Sequence, residues 1–182
     1  QYPRTERAQQ VTIQLSPQGI QPGGPGGTLW RLATRDERWT VVLAEPAVTL
    51  EVRGYSAVDE LLERFETVLR TAQATLGVTE QVRLGLRYVN EPRHPAAHSL
   101  ADWVRLLRPE FVGFAASDLV EGQVAQTLQE VQWQRADGVL AVRHGFLPET
   151  EKGSAPAIAT GHYYLIDLDY YNTIETELRP DA

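Results

Sequence analysis

The 182-residue chain has no cysteine, which removes disulfides, thiolate nucleophiles and sulfur-ligated metals together. Methionine is absent too, an initiator included, which is expected either of a trimmed chain or of one from which methionines or other residues have dropped out. Histidine is scarce (His94, His98, His144 and His162), and no HxH or HExxH spacing groups these residues. A zinc site would need ligands gathered from distant segments, so the histidines read as surface or structural. No serine sits in a Gly-x-Ser-x-Gly elbow, which leaves nucleophilic catalysis without a candidate. No apolar run approaches the roughly 18 residues of a membrane span, and no basic-then-apolar leader opens the chain. A soluble, cytoplasmic protein without membrane contact is expected.

Lysine occurs once, at Lys152, against sixteen arginines. A GC-rich genome would account for that bias. A functional reading is that some arginines form forked pairs with carboxylate or phosphate, where lysine does not substitute. The net charge of −7 argues against sequence-independent nucleic-acid binding, whose affinity comes from neutralising phosphates. Length and hydrophobic content suit a single domain spanning residues 1–182.

Residues 10–16 alternate weakly and predict a strand, and Pro17 to Gly27, rich in glycine and proline, predicts a flexible loop. Strands follow at Thr28–Arg35, Trp39–Ala44 and Ala47–Arg53, with Trp30, Leu32, Trp39, Val41 and Leu43 directed inward. An apolar stripe from Val58 to Leu76 predicts a helix stopped by Gly77, with Ser56 and Asp59 at capping-box spacing. A second helix opens at Ser99, with Asp102 three residues on, and Pro109 ends it; Phe111 and Phe114 anchor its exit. Leu119 to Arg135 reads as a strand whose phase slips near Gln129-Glu130, predicting a bulge. Asp137-Gly138 signals a hairpin into Val139–Phe146, Pro148 to Gly161 a loop, and His162–Tyr171 a last strand. The order implies an α+β fold: a mainly antiparallel, curved sheet packed on two amphipathic helices.

The most informative stretch is Gln81 to Asn90. It sets Val82, Leu84, Leu86 and Tyr88 on one face and Arg83, Gly85 and Arg87 on the other. Glycine weakens a strand unless something approaches the backbone closely, so whatever crosses Gly85 is expected to meet both arginines. In the last strand Asp167 and Asp169 point the same way, about 7 Å apart. They suit pairing with arginines on other strands, with Arg83 and Arg87 as the obvious mates, or a divalent metal, or an acid/base pair. The four tryptophans read as core rather than as base-stacking platforms.

Several segments occur together in order: Tyr2-Pro3, Gln9 to Thr12, Trp30 before Trp39 to Leu43, Leu50-Glu51 before Tyr55, Arg83 to Asn90, and Tyr164 to Asp169. The set resembles a sporadically distributed family of uncharacterised bacterial proteins, with Arg83-Leu84-Gly85-Leu86-Arg87-Tyr88-Val89-Asn90 as its most specific motif. The resemblance implies a soluble bacterial protein and carries over no activity. It also implies a helix between the Asp167-Leu168-Asp169 strand and the tail from Thr173 to Arg179. The sequence lacks that helix, which predicts a discontinuity near Tyr171-Asn172.

Three functions are compatible with these residues. The first is a module that binds an anionic small molecule or a protein partner through Arg83, Arg87, Tyr88, Asn90, Asp167 and Asp169, without a cofactor. The second is a divalent-metal enzyme acting on a phosphate-bearing substrate through the two aspartates. The third is an assembly component of a defence or toxin-related cassette, a possible homo-oligomer whose sheet edge pairs with another chain.

Overall fold

The computed structural model describes residues 2–16, 19–97, 99–117, 122, 124–150 and 159–178, with the side chains of 9–26, 149–150 and 159–162 outside that description. The fold is α+β with antiparallel sheets. The strands expected in one curved sheet are divided between two four-stranded sheets, in two compact units: Gln1–Glu80 with Glu177–Ala182, and Gln81–Thr176. The chain passes between them at β5 (Glu80–Gln81) and β10 (Thr176–Glu177), which pair as a short ribbon.

In the first unit β1 (Arg4–Ser16), β2 (Gly19–Ala33), β3 (Trp39–Ala44) and β4 (Ala47–Val52) lie in sequence order. Pro17 and Gln18 lie outside the described residues; from Gly19 on, the glycine- and proline-rich stretch expected as a loop is the first half of β2. Its Pro22 and Pro25 pair with Ile13 and Val11 of β1. β3 begins pairing only at Leu29, so these prolines have a strand on one side alone, and a missing N–H costs at most a bond to β1.

Helix α1 (Val58–Leu76) presents its stripe to the Trp39 face of this sheet, and Gly77 ends it at φ 68°. Trp39, Val41, Leu61 and Ala72 are buried, whereas Leu62, Leu76 and Trp30 are exposed, so the core is narrower than the apolar pattern suggests. The expected Ser56 capping box does not form: Ala57 is the N-cap. Ser56 Oγ instead accepts from Arg38 and donates to Glu60. Arg38 and Arg64 both pair with Glu60 and stack over the Trp39 ring. Leu178 returns to this unit, buried, donating its N–H to the Thr79 carbonyl and accepting from Gln73.

The second unit orders β6 (Leu84–Asn90), β9 (Ala159–Asn172), β8 (Val139–Thr150) and β7 (Gln129–Gln134) side by side. β9 runs unbroken through Tyr171 and Asn172, opposite Gly85 and Leu84, so the expected discontinuity is absent. The Asp137-Gly138 hairpin forms, closed by Arg135 N–H to the Gly138 carbonyl. The strand expected from Leu119 is shorter. Residues 118–121 and 123 lie outside the described residues, 124–128 carry no strand, and the β7–β8 ladder has no bulge. The phase slip marks the entry into β7, where Thr127 exchanges hydrogen bonds with the Phe146 backbone.

Helix α2 (Leu100–Leu106) does carry the Ser99–Asp102 capping box. Pro109 opens α3 (Pro109–Val112), as suits a residue with no N–H to offer, and a 3-10 turn follows at Gly113–Ala116. Trp103 and Ala97 pack with Phe146 and Tyr164 as the core. Phe111 sits edge-on to His144, while Phe114 is exposed and anchors nothing. Trp133 is exposed as well, so only Trp39 and Trp103 fill the core role expected of all four tryptophans.

Candidate functional site

Alternation sorts the second sheet into two faces. Tyr164, Ile166, Leu168 and Tyr170 share one with Leu84, Leu86, Tyr88 and Asn90. The other carries Arg87, Asp167, Asp169 and Arg143. Arg83, just before β6, reaches the same polar side. The structure therefore brings together four of the six expected site residues. Tyr88 and Asn90, paired with Leu168 and Ile166, point to the opposite face and do not join them. The cause is parity: a residue one step from Arg87 cannot share its face.

The two aspartates take the arginines as mates, with an offset. Arg87 lies opposite Asp169 in the ladder, yet its guanidinium reaches diagonally to Asp167. Nε donates to Oδ1 and Nη2 to Oδ2, each at 2.7 Å. This is the forked geometry that lysine cannot supply. Arg83 Nη2 donates to Asp169 Oδ2 at 2.9 Å, and its guanidinium lies 4.3 Å from the centre of the Tyr171 ring. A Cβ on Gly85 would come within 3.2 Å of Tyr171 Cβ and 3.6 Å of Asp169 Oδ1. The close approach inferred from this glycine is thus made by the chain's own cross-strand neighbours.

Two further residues belong to the face. Arg143, opposite Asp167 in β8, donates from Nε to Glu130 Oε2 at 2.7 Å and places Nη1 3.7 Å from Asp167. Gln132 donates to the other Glu130 oxygen. Both follow from the hairpin signal, because counting outward from Asp137-Gly138 sets Glu130 opposite Arg143.

The charges are layered. The Asp167 side chain is 5% exposed and that of Asp169 23%, whereas those of Arg87, Arg83 and Arg143 are 53%, 50% and 43% exposed. Hydrogen bonding from Arg87 holds the Asp167 carboxyl below its ordinary pKa despite burial, and raises that of Arg87 in turn. Arg143 does the same to Glu130. At Arg87 and Arg83 a visitor to this face meets guanidinium edges with the compensating carboxylates beneath them, whereas Glu130, 42% exposed, lies level with Arg143.

Of the histidines, His144 is buried, with Nδ1 2.7 Å from Tyr164 Oη, which donates to the Phe111 carbonyl. His94 Nδ1 accepts from the Ala96 N–H, and His98 lies outside the described residues. Among the described residues no three His, Asp or Glu side chains are grouped to hold a metal ion, and no helix is long and apolar enough to cross a membrane. Compared with protein-family models, curated proteins and solved structures, the chain finds no match.

Proposed function

We propose that this chain is a ligand- or partner-binding module of a soluble, cytoplasmic bacterial protein, with the arginine face of the β6–β9–β8–β7 sheet as its binding surface. The observation that carries the reading is the layering: the half-exposed guanidiniums of Arg87 and Arg83 are fixed in orientation by less exposed carboxylates, Asp167 buried and Asp169 partly so. Donors oriented in advance lose little freedom on meeting an anion, which favours a carboxylate- or phosphate-bearing small molecule, or an acidic protein surface. Metal-dependent chemistry at Asp167 and Asp169 is disfavoured, because each carboxylate already holds a cationic partner that a metal ion would have to displace.

The test is titration calorimetry with a panel of nucleotides and dicarboxylates, on the wild type and Arg83→Gln. Arg83 suits the purpose because its partner Asp169 is partly solvated and tolerates its loss. Saturable binding weakened about tenfold in the variant is expected. Binding that is absent, or indifferent to Arg83, refutes the assignment.

A second reading has its own observation. β6 is an open edge, among the described residues, with Leu84, Leu86 and Val89 exposed and no proline to block pairing. Edge-to-edge association of two copies would then rise with concentration in light scattering and vanish in Val89→Lys. A concentration-independent monomer removes it.

A further inference from the structure

The face of the first sheet turned away from α1 carries charged groups of its own. Alternation places Arg4, Glu6, Arg31, Thr40 and Glu51 on it together. All but Glu51 line a concavity of about 250 Å³, together with Arg53 and Glu37, and Thr40 is buried at it. Arg31 Nη2 is 2.8 Å from Glu51 Oε2, and Arg4 pairs with Glu37. Arg53 differs. Its backbone N–H donates to the Arg38 carbonyl, but its guanidinium has no hydrogen bond or ion pair among the described residues.

Glu37 is the second unusual feature. It adopts φ 55°, the left-handed region that favours glycine, and is the non-glycine residue at positive φ among those described. The turn around it is firmly bonded: Glu37 N–H donates to the Thr34 carbonyl, Trp39 N–H to Thr34 Oγ1, and Arg38 N–H to Asp36 Oδ1. A strained glutamate is thereby held where its carboxylate meets Arg4.

We propose that this concavity is a phosphate site, with Arg53 as its anchor and Glu37 as a built-in competitor that occupies Arg4 when the site is empty of ligand. Counting Glu51, three guanidiniums face three carboxylates, Glu6 among them, so the surface is neutral overall and cationic only locally. A singly charged carboxylate ligand would merely replace Glu37 like for like. A phosphate dianion brings more charge and three acceptor oxygens, enough to bridge Arg53 and Arg4 and displace the glutamate.

The experiment is calorimetric titration with inorganic phosphate, and separately pyrophosphate, at constant ionic strength. It uses the wild type, Arg53→Gln, Glu37→Gly and Arg83→Gln, each first checked for a cooperative melt. Saturable binding is expected in the wild type, about tenfold weaker in Arg53→Gln and several-fold tighter in Glu37→Gly, which removes the competitor and relieves the left-handed backbone. In Arg83→Gln the binding that Arg53→Gln weakens should persist, whatever the arginine face of the other sheet contributes. Absence of saturable binding overturns the proposal, as does indifference to Arg53→Gln. Loss in Arg83→Gln instead overturns it too, by placing phosphate on the other sheet.

Discussion

Arg87→Ala separates a structural arginine from one awaiting a ligand. The variant leaves Asp167 buried with only Arg143, 3.7 Å away, to answer its charge. Removing one member of a buried pair costs about 3–5 kcal/mol. Here the figure is discounted because the Arg87 side chain is half exposed and Arg143 remains, which gives about 2–3 kcal/mol at neutral pH. For a chain of this size that is a fall of roughly 4–12 °C in Tm. The pH dependence supplies the sharper check. The folded pKa of Asp167 lies below its unfolded value, so the pair's contribution is present above the ordinary carboxylate range and lost as pH falls through the folded value. The deficit of Arg87→Ala should therefore be largest at neutral pH and narrow in acid, as read by urea denaturation across that range. Arg87→Lys keeps the charge but not the fork and should recover less than half of the loss. An Arg87→Ala variant as stable as the wild type at neutral pH would show that the buried carboxylate does not depend on this pair, and the layered-charge argument would fall with it.

Gly145→Ala would drive a Cβ into the Thr127 carbonyl oxygen, a backbone atom that cannot step aside; a loss above about 2 kcal/mol is expected in denaturant melts, and a neutral result refutes the packing. Ser99→Ala removes a formed capping box and should cost about 1 kcal/mol, whereas Ser56→Ala, outside the N-cap of α1, should cost clearly less. Equal losses in the two serine variants would contradict the cap assignments. Burial lowers the pKa of His144, so the unfolded chain binds a proton that the native state refuses. Stability should therefore fall as pH drops below about 6.5, and His144→Gln should flatten that slope. A slope that survives the substitution assigns it to another group.

What could be read from the sequence was governed by periodicity. Alternation alone puts Arg83, Arg87, Asp167 and Asp169 on polar faces, and two such faces meet once β6 pairs with β9. Which arginine takes which aspartate was not legible, because diagonal reach depends on sheet twist and not on spacing. Tyr88 and Asn90 fall on the opposite face by parity, which the sequence carries without a structure. Neither Arg143 nor Glu130 stands out alone in the sequence; only the register counted from the Asp137-Gly138 turn makes them partners. The loop expected from Pro17 to Gly27 failed for another reason. Proline and glycine weaken a strand through missing N–H groups and added entropy, but the first of these costs is small where a strand has a neighbour on one side only. The helix stripe over-promised for a third reason: amphipathicity fixes which side faces inward, while the sheet beneath decides how many of those residues it covers.

The surplus of arginine over lysine can now be divided by geometry. Arg87 uses two nitrogens on two oxygens, and Arg83, Arg38 and Arg64 lay a planar cation over an aromatic ring while also reaching a carboxylate. An ammonium could make one half of each arrangement but not both. Arg70 on Glu66, Arg105 on Asp102 and Arg135 on Asp137 each present one nitrogen to a carboxylate, with arginine side chains more than half exposed. A lysine would serve those positions about as well, since exposed pairs contribute only about 0–1 kcal/mol. Base composition is a sufficient cause for the second group and an insufficient one for the first. The functional meaning of arginine in this chain is therefore concentrated where the guanidinium plane itself is used: at α1 against Trp39, where it fastens a helix to a sheet, and on the Asp167–Asp169 face. On that face the fixed planes leave their outer edges to solvent without a helix to hold.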